Sequence, residues 1–241
     1  MSMQQSELRP SALKEIQNVA GASTQRSWER TKGLLELDEF DCDGTVILDL
    51  GSGLRATSPD TDFPGARVCA VDPLFAVEGQ QPYADGLSPE QLQSYQVAGI
   101  PISIDHTQNL AHERRIGVAQ RIPYRANTFD LVMSTFSFPM CLDDEDIGRG
   151  FSEVVGVTKP GGQVRIWSPG LKDSSDPTIT SVIQVLEQQN ISVSFSEFGL
   201  MTISVPKMNL KEKNYLWKQL YRALRTKGLI SPLSYAQKAL R

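Results

Sequence analysis

The chain has 241 residues, of which 40% are hydrophobic and 22% are charged, and these proportions are those of an ordinary globular protein with one large or two small domains. Three cysteines without CxxC spacing and two histidines are too few for a zinc cluster or a disulfide framework, so we expect no metal site. The net charge is −4, no apolar stretch approaches the length of a membrane span, and the first residues lack the pattern of a signal peptide. We therefore expect a cytoplasmic protein without a membrane span.

Residues 1–44 are predicted to form an N-terminal helical cap. Ser11 can cap a first helix, and Ser23 or Thr24 can begin a second helix that has Trp28 among its apolar members. Both helices precede residue 45, where the spacing of apolar residues changes from that of a helix to that of a strand. We therefore treat them as separate from the domain that follows.

From residue 45 onward, short apolar runs alternate with helical stretches. Four of the runs are typical of buried parallel strands: residues 45–50, 68–72, 130–134 and 163–167. One helix is predicted to begin at Ser88-Pro89-Glu90, and another covers roughly residues 145–157. Strands that alternate with helices in this way predict an α/β domain built on a parallel sheet.

Two further apolar runs, residues 191–196 and 200–205, flank Glu197-Phe198-Gly199 and predict a hairpin. This hairpin would give the mainly parallel sheet an antiparallel edge. We place the α/β domain at residues 45–206.

The last segment, residues 207–241, is predicted to be a basic C-terminal helical extension. It contains nine Lys or Arg residues and one acidic residue, whereas the preceding residues carry a net charge of about −12. Its apolar side chains follow a helical spacing: Leu216, Trp217, Leu220, Tyr221 and Leu224. A basic amphipathic helix of this kind can pack on its own domain, or it can dock on an acidic partner, a membrane surface or nucleic acid. We favour packing on its own domain and keep the acidic partner as the alternative.

A glycine-containing turn follows the first predicted strand. Gly51-Ser52-Gly53 places backbone N–H groups at the carboxyl edge of the sheet, where glycine allows a ligand to approach the backbone. Asp72 ends the next strand about 20 residues later, and a carboxylate there can accept two hydrogen bonds from ribose hydroxyls. An isolated Gly-x-Gly would be an ordinary turn, but a strand on either side of it indicates a nucleoside site.

The kind of nucleoside follows from the charges and prolines around this turn. Residues 51–56 formally satisfy the dinucleotide pattern, but Asp49 would bring a negative charge close to a pyrophosphate. Pro59 and Pro64 also interrupt the helix whose N-terminus should face that pyrophosphate. An NAD-dependent oxidoreductase is therefore the less favoured alternative. S-adenosylmethionine, a nucleoside with a cationic group and no phosphate, fits Asp49 and Asp72 better.

Four motifs resemble those of the class I S-adenosylmethionine-dependent methyltransferases. Val46-Ile47-Leu48-Asp49-Leu50-Gly51-Ser52-Gly53 resembles the family's first motif, and Ala70-Val71-Asp72-Pro73 resembles the second. Residues 121–132 are similar to the "LPF…SFDLV" segment that leads into strand four, and residues 154–162 are similar to the "VLKPGG" turn before strand five. The four motifs occur in the family's order.

The resemblance implies an enzyme with a three-layer, Rossmann-like methyltransferase sheet of seven strands and with S-adenosyl-L-methionine as its cofactor. It assigns cofactor binding to these positions: Asp49 at the methionine end, Gly51, Ser52 and Gly53 at the backbone approach, Asp72 and Pro73 at the ribose, Ala119 and Gln120 at the adenine edge, and Ser134 and Phe136 beside the methyl group. Arg55 replaces the family's third glycine, and Val118 stands where the family often has an acidic residue. These departures keep open the alternative of a non-catalytic binding protein with this fold.

No catalytic residue can be assigned from the sequence. The stretch between the second and fourth strands contains His106, His112, Tyr83 and Asp105, any of which could accept a proton. Each histidine is more commonly an ordinary surface residue.

The methyl acceptor is unidentified, but the segment after strand four restricts its class. Methyltransferases that act on the amino groups of nucleic-acid bases carry an Asn/Asp-Pro-Pro-aromatic motif there, whereas this chain has Ser134-Thr135-Phe136-Ser137-Phe138-Pro139. A small molecule is therefore favoured over a nucleic-acid base. Phe136 and Phe138 are candidate walls of its pocket.

Overall fold

A computed structural model of the chain describes residues 28–38, 40–52, 62–72, 111–139, 142, 144–168, 170–173 and 176–230. The helices of this part of the chain are α1 (Trp28–Leu34), α2 (Asp144–Val157), α3 (Pro177–Gln188) and α4 (Leu210–Thr226). Its strands are β1 (Val46–Leu50), β2 (Arg67–Val71), β3 (Glu113–Arg115), β4 (Phe129–Thr135), β5 (Thr158–Trp167), β6 (Ser192–Phe195) and β7 (Met201–Ser204). The predicted helices near Ser11 and Ser88 lie outside the described residues.

The strands form a single seven-stranded sheet in the order β3-β2-β1-β4-β5-β7-β6. From β3 to β5 every neighbouring pair is parallel, and β7 is antiparallel to both β5 and β6. Helices flank this sheet, so the predicted three-layer α/β architecture with an edge hairpin is confirmed. The order places β1 between β2 and β4, and their carboxyl ends therefore meet at one edge.

Side chains on the strands alternate between two apolar layers, as the pleat of a strand requires. On one face, Leu48 and Leu50 of β1 belong to the cluster that contains Phe151 of α2. On the other face, Ile47 of β1 packs in a second cluster with Leu35, which directly follows α1. Because both faces are covered, β1 is an almost continuous apolar run.

Strand β3 was not predicted, and its residues explain why. Glu113, Arg114 and Arg115 are polar and lie at the edge of the sheet, where no apolar alternation marks them. Their pairing with β2 is supported by an ion pair of 2.8 Å between Arg67 Nη2 and Glu113 Oε2. Strand β5 also differs from the prediction, because it begins at Thr158 and so includes residues that were expected to form a turn.

Local capping interactions determine where two of the helices begin. Asp176 caps α3, and its Oδ1 accepts hydrogen bonds from the backbone N–H groups of Thr178 (2.7 Å) and Ile179 (3.3 Å). Asn209 and Glu212 form a reciprocal capping box at the start of α4. No helix among the described residues is long and apolar enough to cross a membrane.

Helix α4 packs on its own domain, as the favoured interpretation of the basic extension predicted. Leu220 and Leu224 are fully buried in the same apolar cluster as Phe151 of α2. Lys213 is also buried, and its Nζ donates a hydrogen bond of 2.7 Å to the carbonyl of Val155 in the last turn of α2. An ammonium group there satisfies a helix-terminal carbonyl and complements the helix dipole. The division into residues 1–44, 45–206 and 207–241 stays a prediction.

Candidate active site

The first strand and the turn after it form the centre of the candidate site. The backbone N–H of Gly51 donates a hydrogen bond of 2.8 Å to the carbonyl of Val71, the last residue of β2. Asp72 directly follows Val71, so this bond brings the glycine turn and the predicted ribose carboxylate side by side. Ser52 is buried in the same turn.

Gly51 is required by its surroundings as well as by its backbone conformation. Its φ is +69°, a left-handed value that costs an L-residue energy. A Cβ atom at this position would lie 2.0 Å from Ser137 Oγ and 2.4 Å from Ser137 Cβ. The turn after β1 is therefore in direct contact with the segment after β4, and only a glycine fits between them.

Two carboxylates are buried at this edge, since Asp49 is 2% exposed and Asp72 is 4% exposed. A buried carboxylate is costly unless hydrogen-bond donors surround it. The backbone N–H of Asp72 donates to the carbonyl of Arg115 at 3.3 Å, which ties the end of β2 to the end of β3. The chemistry of this pair suits a ligand that brings hydroxyl and amino donors and carries no net negative charge.

Residues 117–121 form a turn beside the end of β2. Gly117 lies against Val71 and Pro123, because a Cβ at Gly117 would be within about 3 Å of both side chains. The side-chain amide of Gln120 donates a hydrogen bond of 3.2 Å from Nε2 to Asp146 Oδ2 at the start of α2. Its Oε1 is buried and has no hydrogen-bond partner among the described residues. Gln120 thus offers an acceptor to a ligand amino group at the position expected for the adenine edge.

Two serines after β4 form a short hydrogen-bonded chain. Ser134 Oγ accepts from the backbone N–H of Phe138 (3.2 Å) and lies 2.8 Å from Ser137 Oγ. Ser137 Oγ in turn donates to the carbonyl of Leu50 at 3.2 Å. Ser134 was predicted as a site residue, whereas Ser137 was missed. The sequence could have indicated Ser137 only through its spacing from Ser134 in the segment after β4. Its contact with Leu50 joins residues 87 positions apart, and no local pattern predicts such a contact.

An aromatic wall, Phe136 with Trp167, lies at the carboxyl ends of β4 and β5. Their rings are 4.5 Å apart between centroids, and the backbone N–H of Phe136 donates to the carbonyl of Trp167 at 2.9 Å. Phe136 has a φ of +63°, an unusual value for a side chain of this size. Trp167 Nε1 donates to the carbonyl of Phe198 at 3.0 Å, which fixes the indole in place. Trp167 was not predicted as a site residue, although the sequence correctly predicted the strand that it ends.

Phe138, the second candidate pocket wall, belongs instead to the core. It is 2% exposed and packs against Phe151 of α2, with their ring centroids 4.8 Å apart. The wall is therefore formed by Phe136, and Phe138 has a packing role.

Within the part of the chain that the structure describes, no candidate general base lies at this edge. His112 Nδ1 accepts a hydrogen bond of 3.1 Å from the backbone N–H of Val68 near the start of β2, away from the strand ends. Burial raises the pKa of the Cys69 thiol and also the pKa of the Tyr124 phenol, so both groups are protonated at neutral pH and neither is an activated nucleophile. His106, Tyr83 and Asp105 lie outside the described residues. Among the described residues, no three metal-ligating side chains come together.

The described part of the chain thus brings eight of the ten predicted cofactor residues to one edge of the sheet: Asp49, Gly51, Ser52, Asp72, Ala119, Gln120, Ser134 and Phe136. Gly53 and Pro73 lie outside the described residues. Their cofactor-binding roles stay predictions, as do those of the other eight.

Comparisons with known proteins agree with this geometry. A family model described as a methyltransferase domain matches residues 48–166. Among curated proteins, none matches this chain.

Several solved structures are similar to the chain at low identity. A provisionally assigned S-adenosyl-L-methionine-dependent methyltransferase from Methanococcus maripaludis is 18% identical, with 87% of this chain and 99% of that chain covered and a TM-score of 0.43. A methyltransferase from Aquifex aeolicus is 17% identical over 75% of this chain and 98% of that chain, with a TM-score of 0.35. Phosphoethanolamine N-methyltransferase 2 from Haemonchus contortus is 19% identical over 82% of this chain and 37% of that chain, with a TM-score of 0.42.

The family match covers the glycine turn, Asp72 and strands β2, β3 and β4, and the strand order with its antiparallel β7 is that of the class I methyltransferase fold. The oxidoreductase alternative is therefore set aside, and S-adenosylmethionine is the methyl donor that the family implies. Residues 48–166 are a methyltransferase domain of the class I S-adenosylmethionine-dependent family.

Proposed function

We propose that this enzyme transfers the methyl group of S-adenosylmethionine to a small molecule that binds against the aromatic wall of Phe136 and Trp167. The observation that carries this proposal is the position of the wall, which lies at the ends of β4 and β5 beside the glycine turn. The segment that contains Phe136 also lacks the Asn/Asp-Pro-Pro-aromatic motif of enzymes that methylate nucleic-acid bases. A flat or apolar acceptor fits such a wall better than an anionic one, because the face of an aromatic ring is electron-rich.

The residues at the edge fit the cofactor group by group. Asp72 would accept hydrogen bonds from the two ribose hydroxyls, and Gln120 Oε1 would accept one from the adenine amino group. Asp49 would face the cationic methionine end, where a negative charge is favourable. The bare backbone of Gly51 would allow the ligand to lie close to the turn.

When bound, S-adenosylmethionine supplies an activated methyl group on a sulfonium with a good leaving group. The protein's contribution is then alignment, and positioning of two reactants can supply roughly 7–11 kcal/mol of a barrier. The hydrogen-bonded serines hold the turn after β1 against the segment after β4. This contact would keep the wall and the glycine turn at a constant separation.

The proposal is tested by measuring S-adenosylhomocysteine formation with panels of aromatic and aliphatic phenols, amines and thiols, and with single-stranded oligonucleotides as competitors for the role of acceptor. We expect turnover with members of the small-molecule panel and none with the oligonucleotides. Phe136→Ala should raise the KM for the acceptor at least tenfold and weaken S-adenosylhomocysteine binding by a smaller factor, because Phe136 is also predicted to lie beside the methyl group of the cofactor.

Phe198→Ala is the matched control, since Phe198 is 79% exposed and its hydrogen bond with Trp167 is made by the backbone carbonyl, which the substitution keeps. It should leave both values unchanged. Faster methylation of an oligonucleotide than of any small molecule would overturn the proposed acceptor class. Binding of S-adenosylhomocysteine without turnover on any acceptor would favour the non-catalytic binding protein instead.

A further inference from the structure

The outward face of α4 carries a line of four basic side chains and one tyrosine. Lys211, Tyr215, Lys218, Arg222 and Arg225 are spaced four, three, four and three residues apart, and all five are exposed. At 3.6 residues per turn this spacing keeps them on one face over about 21 Å of helix. We call these five residues the basic stripe.

The four cations of the basic stripe have no anionic partner among the described residues. None of their side chains makes a hydrogen bond or an ion pair with a described residue, although ion pairs elsewhere join Arg67 to Glu113 and Lys159 to Asp130. The one acidic residue of α4, Glu212, is occupied by the capping box. The stripe is therefore a surface of one charge, and its members repel one another unless an anion lies against them.

The opposite face of α4 decides which kind of anion can bind. Leu220 and Leu224 are fully buried in the domain core, so the apolar face of the helix cannot enter a lipid bilayer in the way of an interfacial helix. What remains for a partner is a row of cations with one aromatic ring, that of Tyr215, which is 65% exposed.

We propose that the basic stripe binds single-stranded nucleic acid, with its cations on successive phosphates and the ring of Tyr215 stacked on a base. Cations that follow the backbone and an aromatic side chain that stacks on bases are the two elements with which proteins hold single strands without reading their sequence. The carboxylates of an acidic peptide would satisfy the cations but would offer no flat ring to Tyr215, whereas every nucleotide offers both a phosphate and a base. The stripe faces away from the sheet, so this binding is separate from the methyl transfer proposed above and does not depend on it.

Fluorescence anisotropy of the full-length protein with a labelled 20-nucleotide oligouridine tests the proposal. Between 50 and 200 mM salt, four neutralised phosphates predict a slope of about −2.8 for the logarithm of the association constant against the logarithm of salt concentration. The double variant Lys218→Gln/Arg222→Gln should reduce the slope to about −1.4. Tyr215→Ala should weaken binding about tenfold and leave the slope unchanged, because stacking releases no counterions.

Lys172→Gln is the matched control, since Lys172 is also an exposed cation but lies next to the β6–β7 hairpin. It should bind the oligonucleotide as the wild type does. All substituted side chains are exposed, so the melting temperature should stay the same in every variant.

Three further outcomes would each overturn the proposal. The first is the absence of oligouridine binding at 50 mM salt. The second is binding that the stripe variants do not weaken. The third is tighter binding of poly-glutamate or of phosphatidylserine vesicles through the same residues, without a contribution from Tyr215, which would assign the stripe to an acidic protein or to a membrane surface.

Discussion

Replacing Gly51 with alanine should disable the turn after β1 for two separable reasons. The first is the backbone, because a φ of +69° costs an L-residue about 1–2 kcal/mol. The second is steric, because the new Cβ would lie 2.0 Å from Ser137 Oγ, a distance that the structure can relieve only by moving the turn or the segment after β4. Overpacking of this kind costs about 1–3 kcal/mol.

The two costs can be measured apart with variants that the chain itself provides. Gly170 has a φ of +73° and no atom within 4 Å of the position that a Cβ would take, so Gly170→Ala carries the backbone cost alone. Ser137→Gly removes the clashing Oγ and Cβ and leaves Ser137 Cα at 3.9 Å from the new methyl group, which is an ordinary contact. The double variant Gly51→Ala/Ser137→Gly should therefore recover about 1–3 kcal/mol relative to the sum of the single variants.

The assay is chemical denaturation of the four variants, combined with calorimetric titration of S-adenosylhomocysteine. We expect Gly51→Ala to lose stability by about 2–5 kcal/mol and to bind the ligand at least tenfold more weakly. A Gly51→Ala variant no less stable than Gly170→Ala would refute the steric argument. So would a double-variant cycle without a coupling energy.

Three other expectations follow from buried groups. Burial lowers the pKa of Lys213 to about 8, whereas a lysine in the unfolded chain has a pKa of about 10.4. Between pH 7 and pH 9.5 the folded state therefore loses this proton before the unfolded state does, and the free energy of unfolding should rise by about 2 kcal/mol relative to Lys213→Met. Chemical denaturation at both pH values checks this. Leu224→Ala should cost about 2–5 kcal/mol in the same assay, whereas a cost below about 1 kcal/mol would show that α4 is not part of the core. Gln120→Met keeps the side-chain volume but removes the acceptor Oε1, so it should weaken S-adenosylhomocysteine binding several-fold. Because it also removes the hydrogen bond from Nε2 to Asp146, the free energy of unfolding should fall by about 1 kcal/mol, and an unchanged affinity would remove Gln120 from the adenine edge.

The central part of the fold could be predicted because its signals are local. The run from Val46 to Leu50 is apolar on both faces apart from Asp49, and Gly51 follows it directly. Consecutive residues therefore predict both the strand and the turn. The hairpin of β6 and β7 was likewise predictable from alternating side chains around Gly199.

Other parts depend on contacts between distant segments and carry no local signal. Strand β3 consists of polar residues whose partner Arg67 lies 46 positions away. The role of Ser137 depends on its meeting Gly51 and Leu50 across two neighbouring strands. In the same way, the hydrogen bond from Gln120 to Asp146 joins a loop to the start of α2, and no pattern in the sequence predicts that these two residues meet.

We propose that the carboxyl edge of this sheet binds S-adenosylmethionine through Asp72, and the other predicted site roles depend on this claim. Isothermal titration of the full chain with S-adenosylhomocysteine and, in parallel, with NAD tests it most directly, and Asp72→Ala serves as the site variant. We expect one-to-one binding of S-adenosylhomocysteine, no binding of NAD, and an affinity at least tenfold lower in Asp72→Ala with an unchanged circular dichroism spectrum. Binding of NAD without S-adenosylhomocysteine, or an Asp72→Ala variant that binds as well as the wild type, would contradict the claim.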